Sequence, residues 1–288
     1  MRKWRATTVQ GDAARALAAL STRLSGWASG APWQKKARRE AEDWRTAVSA
    51  IVGVREVVKP ALPYEGEVIG AVQRSHPHST EHDIVICAAG TLPAELHKLW
   101  RAAVPGGYHM EYGYSCMGYE IAGGIGVKMA HPNREVVVMV GDGSYLMLNS
   151  EIATSVMLGT KLVIVVLDNR GYGCIHRLQR AVGGEGFNNL FDDCVQGSPG
   201  MPRIDFAAHA RSLGASAEHV DSIGELETAL TRARASDRTY VVVIDTDPLR
   251  TTEAGGWWWE VGVPEVSEAD SVRAARIEYD HGKRLQRQ

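Results

Sequence analysis

Short apolar runs alternate with longer amphipathic stretches through the middle of the chain. Four of the runs are continuous and rich in β-branched residues, which is typical of strands that are buried on both faces. They lie at residues 84–87, 136–140, 162–167 and 240–244. Stretches with apolar residues at helical spacing lie between them, at residues 93–103, 117–129, 146–158 and 222–235. This alternation predicts an α/β fold, a doubly wound parallel sheet with helices on both faces, over residues 64–250.

The segments that flank this predicted domain carry weaker patterns. Residues 1–25 are predicted to form a strand at 6–9 and a helix that begins at Asp12. Residues 26–63 are predicted to be a linker with an exposed, charged helix between Trp33 and Trp44. Residues 251–288 are predicted to be an arm and a terminal helix. The adjacent tryptophans 257–259 cannot all enter one core, so they meet another subunit, cover the active site, or dock on their own domain.

Composition excludes several classes of partner. Lys and Arg total 32 against 34 Asp and Glu, a net charge of -2, so no basic excess favours nucleic acid or an acidic membrane. The four cysteines form no CxxC pair, which fits reduced thiols in a cytoplasmic protein. The chain contains no apolar stretch of about 18 residues. We therefore expect a cytoplasmic protein with neither a nucleic-acid nor a membrane partner.

The unusual polar residues follow two of the predicted strands. The strand at 136–140 runs into Gly141, Asp142, Gly143 and Ser144. Glycines allow backbone amides to approach a phosphate closely, and Asp142 offers a hard oxygen ligand for a cation. A glycine turn in which Asp142 merely caps the next helix is the alternative.

A second oxygen ligand follows the next strand. The strand at 162–167 ends in Asp168, Asn169, Arg170 and Gly171, one helix and one strand after Asp142. Neighbouring strand ends in a parallel sheet can share one ion, and Mg²⁺ is the usual occupant of such oxygen sites beside phosphates. The pair therefore favours a magnesium site over a simple turn.

The whole segment 141–173 resembles the cofactor motif of the thiamine diphosphate enzymes. That family usually has Asn-Asn where this chain has Asp168 and Asn169, and the second position is the ligand. The resemblance implies Mg²⁺ bound by the side chains of Asp142 and Asn169 and by the Gly171 carbonyl. It also implies a set of residues that line the cofactor diphosphate: Gly141, Gly143, Ser144, Tyr172 and Gly173.

Two other segments resemble parts of the same family. In 114–126, Met117 occupies the position of a bulky apolar residue beneath the bent cofactor, with Ser115 and Met117 backbone groups near the aminopyrimidine. A core methionine at a helix start is the alternative for Met117. Residues 86–100 resemble the family loop that closes over the diphosphate, and its candidate contacts are Gly90, Thr91 and Leu92.

No residue of this chain is assigned a catalytic role. In the family, a glutamate on a separate pyrimidine-binding domain promotes cofactor deprotonation, and the segment before residue 64 is too short to hold that domain. The residues around four other glutamates do not suit this catalytic role: Glu65, Glu67, Glu81 and Glu151. Residues 1–25 resemble the end of the family's middle domain. We therefore expect a hetero-oligomer in which a second subunit supplies this domain and its catalytic Glu, the alternative being a fragment of a longer enzyme.

Within the family, the chain resembles the hydrolases that open trihydroxycyclohexane-1,2-dione. The likeness covers 109–130, 141–159, 167–179 and 257–279. It implies a small carbonyl substrate and cleavage of a ring carbon–carbon bond. A carboligase of the acetolactate synthase type, a 2-keto acid decarboxylase subunit, and a regulatory or scaffold subunit without turnover remain alternatives. His176 either faces the substrate as a proton donor or is a structural histidine.

Overall fold

The computed structural model describes residues 7–76, 79–194, 203–253 and 261–285. Two compact units emerge. One is Ala47–Gly256, and the other combines Met1–Thr46 with Trp257–Gln288. The predicted α/β domain, 64–250, lies within the first unit. None of the described helices combines the length and apolar character needed to cross a membrane.

The first unit is built on one six-stranded, fully parallel sheet with the order β2-β1-β3-β4-β6-β5. The strands are β1 (Ile84–Cys87), β2 (Tyr108–Met110), β3 (Val136–Gly141), β4 (Val163–Asp168), β5 (Ser216–Val220) and β6 (Tyr240–Asp245). The four predicted strands are β1, β3, β4 and β6, which occupy the middle of the sheet. The predicted doubly wound α/β fold is confirmed.

The sequence prediction missed both edge strands. An edge strand pairs on one side only and is less covered, so it need not be a continuous apolar run. In β2, His109 lies between Tyr108 and Met110, and all three are only partly buried. In β5, Glu218 and His219 precede the one buried residue, Val220.

Helices connect the strands and cover both faces of the sheet. In chain order, the described helices of both units are α1 (Ala13–Arg23), α2 (Ala31–Val52), α3 (Glu65–Arg74), α4 (Ser79–His82), α5 (Thr91–Leu99), α6 (Tyr119–Ala130), α7 (Asp142–Tyr145), α8 (Glu151–Met157), α9 (Gly173–Ala181), α10 (Phe206–Ser212), α11 (Ile223–Ala235) and α12 (Asp270–Leu285). A single 3₁₀ turn, Phe191–Cys194, is also described. Five described helices of the α/β unit were not predicted: α3, α4, α7, α9 and α10.

One predicted helix, 146–158, is wrong in part. The chain instead forms the short α7, a turn at 146–150, and then α8. The Asn149 side chain donates to the Leu146 carbonyl over 3.3 Å within this turn. Because such side-chain bonds compete with helical ones, the apolar spacing alone did not make the helix continuous.

The apolar core lies on both faces of the central strands. Successive side chains of a strand point to opposite faces. One face packs with Ile121, Ile152 and Phe206, from α6, α8 and α10. The strand residues on that face are Ile84, Ile86, Val136, Val138, Val140, Ile164, Val166, Val241 and Val243. The intervening residues, such as Val165, are equally buried, which accounts for the continuous apolar runs in the sequence.

The second unit contains helices that agree in part with the predictions. Asp12 caps α1, its side chain accepting from the Arg15 amide over 2.9 Å, as the predicted start requires. The predicted strand at 6–9 is wrong for residues 7–9, which lie outside any ladder; a lone extended segment without a partner strand leaves its backbone groups unpaired. The predicted terminal helix is α12. The tryptophans 257–259 lie outside the described residues.

The central strand β4 should dominate the stability of the α/β unit. Ile164 is fully buried between β3 and β6, so Ile164→Ala should lower the free energy of unfolding by about 3 kcal/mol through the lost contacts and the cavity. Urea denaturation followed by circular dichroism would measure this. Met157→Ala, at a side chain that is 84% exposed, is the control and should change stability by less than about 0.5 kcal/mol. Equal losses in the two variants would contradict the assigned core.

Candidate functional site

The predicted site residues gather at the carboxyl edge of the sheet, beyond β3 and β4. These strands are neighbours, and Gly141 lies opposite Leu167 in the register. Asp142 begins α7 immediately after β3 and is fully buried. Residues 168–171 form the turn after β4. The parallel pairing therefore brings both candidate loops to the same point.

Three of the predicted metal-ligating groups converge there. The Gly171 amide donates to Asp142 Oδ2 over 2.7 Å. Asn169 Oδ1 lies 3.2 Å from Asp142 Oδ1 and 2.8 Å from the Gly171 carbonyl oxygen, and with the amide turned over its nitrogen would donate to both. In the first orientation the three oxygens form the type of cluster that a hard cation binds. The side chains of Asp142 and Asn169 and the Gly171 carbonyl thus suit Mg²⁺.

The electrostatics of Asp142 suit a cation as well. Its pKa is raised to about 7, chiefly by burial and then by the negative charge of Asp168, against the opposing hydrogen bond from Gly171. Asp142 has no salt-bridge partner among the described residues. The described part of the chain contains no cluster of three or more His, Cys, Asp or Glu residues that could hold a metal. A cation here would rely on one carboxylate, neutral oxygens and a ligand.

Residues 188–191, a later segment of the chain, hold the turn after β4 in place. Asp168 Oδ1 accepts from the Arg170 amide over 2.9 Å, a bond that the side-chain oxygen of the family's usual Asn could also accept. Gly171 has a φ of +139°, and a Cβ there would lie 2.4 Å from the Asn189 carbonyl oxygen. That same oxygen accepts from the Tyr172 amide over 2.7 Å. The 188–191 segment therefore fixes the position of the Gly171 carbonyl.

Tyr172 and the glycines around it leave little free space. A Cβ on Gly143 would lie 2.7 Å from the Tyr172 ring, and a Cβ on Gly173 would lie 3.1 Å from Asn169 Nδ2. By contrast, a Cβ on Gly141 would meet nothing within 4 Å. The close approach of the two loops thus depends on Gly143 and Gly173.

Ser144 points away from the opening. It is buried, and its hydroxyl donates to both carboxylate oxygens of Glu120 over 2.8 Å. The Gly118 amide donates to Ser144 Oγ over 2.8 Å and to Glu120 Oε2 over 3.0 Å. Only the backbone of Ser144 is left to face a diphosphate. The sequence analysis missed Glu120, whose one signal is a carboxylate in the first turn of an otherwise apolar helix.

The loop before α6 presents Met117. Its side chain is 36% exposed, which argues against the alternative of a core methionine. Ser115 has a φ of +53°, unusual for a residue with a side chain, and Gly118 has a φ of +90° at the start of α6. Glu111 accepts from the amides of Tyr114 and Cys116 over 3.0 and 2.7 Å. The predicted helix start at 117 is therefore two residues early, because Gly118 leaves the helical conformation.

The loop after β1 adds a third side to the site. Gly90 precedes α5, and Thr91 is its first residue. The Thr91 hydroxyl oxygen is buried and has no hydrogen-bond partner in the described part of the chain, as a group awaiting a ligand would. The Leu92 side chain is buried in the core, so only its backbone can contact a ligand.

His176 lies beneath the 186–193 segment. It is 5% exposed, its Nδ1 is 3.5 Å from Asp193 Oδ2, and a Cβ on Gly186 would lie 2.6 Å from its ring. This position favours the structural interpretation of His176 over contact with a substrate.

Glu65 and Glu67, which were given no catalytic role from the sequence, are both buried. Glu67 accepts from the Tyr64 amide over 3.0 Å and pairs with Arg250 over 2.9 Å, a structural role. Burial raises the pKa of Glu65 to about 7, against the lowering effect of Arg177, 3.8 Å away. The residue pattern around Glu65 gave no signal of this burial, because α3 itself was not predicted.

Large apolar side chains are exposed in the loops and helix starts that follow β2, β3 and β4. They are Tyr112, Tyr114, Met117, Leu146, Met147, Leu148, Tyr172, Ile175 and Leu178. We call this set the carboxyl-edge patch. Clusters of this kind on a protein surface mark contact sites for ligands or other proteins.

Comparisons with known proteins agree with this geometry. The family model described as "Thiamine pyrophosphate enzyme, C-terminal TPP binding domain" matches residues 88–244. Among curated proteins, the 3D-(3,5/4)-trihydroxycyclohexane-1,2-dione hydrolase of Bacillus licheniformis is 39% identical over 220 residues, 76% of this chain and 33% of the relative. The Bacillus subtilis protein of that name is 40% identical over 195 residues, 68% of this chain and 30% of the relative. The chain thus spans about a third of the length of these relatives.

Solved structures show the same fold. A thiamine diphosphate-dependent 4-hydroxybenzoylformate decarboxylase from Rhodococcus jostii RHA1 aligns with a TM-score of 0.55 at 18% identity, over 67% of this chain and 34% of that one. Benzoylformate decarboxylase from Polynucleobacter necessarius aligns with a TM-score of 0.53 at 21% identity, over 66% of this chain and 34% of that one.

The turn at Gly171 yields a prediction about stability. Gly171→Ala should lower the free energy of unfolding by about 3 kcal/mol, because backbone atoms block the new methyl group and φ is positive. Gly141→Ala, with a φ of -75° and open space at the Cβ position, should change it by less than about 0.5 kcal/mol. Guanidinium denaturation measures both. A Gly171→Ala protein as stable as the wild type would mean that the 188–191 segment does not pin the turn.

Proposed function

The chain belongs to the thiamine pyrophosphate enzymes and contains their C-terminal TPP-binding domain, and on that premise we propose that it binds thiamine diphosphate through Mg²⁺. The ion is held by the side chains of Asp142 and Asn169 and by the Gly171 carbonyl. The observation that carries this proposal is that the Asn169 side-chain amide lies 3.2 Å from Asp142 Oδ1 and 2.8 Å from the Gly171 carbonyl oxygen, at two neighbouring strand ends.

The loops around the ion suit a diphosphate. One carboxylate cannot neutralise a divalent ion, so phosphate oxygens complete both its charge and its coordination. Gly141 and Gly143 allow the backbone to approach those oxygens, and the unpartnered Thr91 hydroxyl gains a hydrogen-bond acceptor. Gly90, Leu92, Ser144, Tyr172 and Gly173 contribute the surrounding backbone and ring surface.

The other end of the cofactor lies against the loop before α6. Met117, exposed in the absence of a ligand, supports the two rings from beneath, and the backbone groups of Ser115 and Met117 bind the aminopyrimidine. When bound, thiamine diphosphate supplies a nucleophilic carbon for addition to a carbonyl and an acceptor for the electrons of the broken carbon–carbon bond. The residues of this chain bind and orient it.

The substrate that we propose is a cyclic 1,2-dione, whose ring is opened by carbon–carbon cleavage and hydrolysis. Support comes from relatives named as hydrolases of such a dione, which are 39% to 44% identical to this chain. The aligned part is about a third of each of those proteins, and the other two thirds of their length are outside the comparison.

We further propose that a partner subunit supplies the pyrimidine-binding domain and the catalytic Glu. The carboxylates that the structure describes near the cofactor loops are already engaged. Asp142 binds the Gly171 amide, Glu120 binds Ser144, and Glu111 binds the Tyr114 and Cys116 amides. The carboxyl-edge patch offers the apolar surface that such a domain would cover. The active protein is then a hetero-oligomer.

Cofactor binding should depend on magnesium and on Asp142. Calorimetric titration with thiamine diphosphate should give heat in Mg²⁺ and none in EDTA, and Asp142→Ala should weaken binding by at least about 100-fold, since even indirect loss of metal coordination can have effects of that order. Glu151→Gln, in the next helix, serves as the control and should bind as the wild type does. Equal binding with and without Mg²⁺, or none by the wild type, would contradict the proposal and favour a scaffold role.

Turnover should need the partner domain. The purified chain with thiamine diphosphate, Mg²⁺ and a cyclic 1,2-dione should give no product above background, because the described carboxylates near the cofactor loops are already bonded to groups of the chain itself. Addition of a second polypeptide that carries the pyrimidine-binding domain should yield the ring-opened acid, detected by mass spectrometry. Steady turnover by the monomeric chain would rule out the partner requirement. A product in which a pyruvate-derived unit is joined to a second carbonyl compound would instead indicate a carboligase.

A further inference from the structure

Glu120 is a buried carboxylate that neither the predicted metal site nor the cofactor contacts account for. It lies in the first turn of α6, is 1% exposed, and has no salt-bridge partner in the part of the chain that the structure describes. Burial raises its pKa, while hydrogen bonds oppose this shift. Because an unpaired buried carboxylate is unfavourable, an apolar residue would suit folding better at this position. The groups that donate hydrogen bonds to Glu120 indicate what this carboxylate contributes to the structure of the site.

Those donors come from two different segments, and a third segment lies beside the carboxylate. The Ser144 hydroxyl, from α7 after β3, donates to Glu120 over 2.8 Å. The Gly118 amide, from the loop before α6, donates over 3.0 Å. The Ala89 amide, from the loop after β1, is near enough to lower the pKa of Glu120. One carboxylate therefore bonds the loop before α6 to the residues after β3 at a single buried point, with the loop after β1 beside it.

The same three segments are those proposed to hold different parts of the cofactor. Gly90 and Thr91 follow Ala89 and face the diphosphate, while Gly143 precedes Ser144 on the metal side. Met117 precedes Gly118 and supports the rings. The distance between the ring-binding and diphosphate-binding loops is thus set through Glu120.

We propose that Glu120 is a positioning residue that fixes the loop before α6 against the residues after β3 in the geometry of the bound cofactor before the cofactor arrives. The inference rests on the proposed binding of thiamine diphosphate and adds to it a residue that does not touch the ligand. Loops that are already ordered lose less conformational entropy on binding, so the carboxylate raises cofactor affinity without a contact of its own.

Three substitutions separate positioning from general stability. Glu120→Gln retains an oxygen that accepts from the Gly118 amide, and its amide can donate to Ser144 Oγ. Glu120→Ala removes both of these bonds. Asp83→Asn is the matched control, because Asp83 is also a buried carboxylate, 2% exposed, but pairs with Arg234 over 2.6 Å at the opposite, amino edge of the sheet.

The first measurement is cofactor affinity, by calorimetry of the full chain with thiamine diphosphate and Mg²⁺. We expect Glu120→Ala to weaken binding by about 30-fold, from the loss of charge-assisted hydrogen bonds, and Glu120→Gln to stay within about threefold of the wild type. Asp83→Asn should lower the melting temperature without changing affinity. An Asp83→Asn protein that loses as much affinity as Glu120→Ala would overturn the positioning role in favour of general stability.

The second measurement needs no cofactor. Hydrogen exchange of the ligand-free chain should show a protected Gly118 amide in the wild type and in Glu120→Gln, and at least about tenfold faster exchange in Glu120→Ala, since opening of the loop exposes that amide. Unchanged protection would overturn the inference. If the wild type binds and Glu120→Ala binds equally well, this inference fails and the proposed function stands. If the wild type does not bind at all, both fail.

Discussion

The hydrogen bond from the Gly171 amide to the Asp142 carboxylate joins the two loops on which the site depends. It can form because β3 and β4 are adjacent and parallel, so their carboxyl ends project the following residues toward each other. It also fixes the orientation of the carboxylate, leaving Asp142 Oδ1 beside Asn169 and the Gly171 carbonyl. The remaining features of the site, including the glycines, the Asn189 contact and the Tyr172 ring, keep these two loops at bonding distance.

Buried carboxylates of the α/β unit fall into two kinds. Asp83, at the amino edge of the sheet, and Glu67 each have a guanidinium partner, in Arg234 and Arg250. Asp142 and Glu120, beside the candidate site, are as buried but bind only N–H and O–H groups within the described residues. Hydrogen bonds to backbone amides compensate part of the loss of hydration, and a cation or a ligand can compensate more. The paired carboxylates thus serve stability, whereas Asp142 and Glu120 retain unfavourable charge where binding can use it.

The sequence predicted those parts of the molecule that depend on local pattern. The four central strands were found because each is buried on both faces, and the GDG and Asp168–Gly171 turns because each follows such a strand. The edge strands β2 and β5 were not predicted, because they are defined by pairing with a neighbouring strand and not by apolar content. Glu120 was not identified as a site residue for a related reason. Its role depends on hydrogen bonds to Ser144, which follows β3, and to the Gly118 amide, and no spacing along the chain specifies such a junction.

The same geometry explains why binding and activation of a cofactor can be separated. The loops from β1, β3 and β4 and the loop before α6 meet at one edge because the strands are in register, so the cofactor cradle is a product of the fold of this unit alone. On the proposed function, activation requires a carboxylate that is free to bind the cofactor ring, whereas Glu111, Glu120 and Asp142 are each bonded to backbone amides. Moving any of them toward the ring would release the loop that it holds. In that proposal, the bonds that order this unit for binding leave the activating group to a partner subunit.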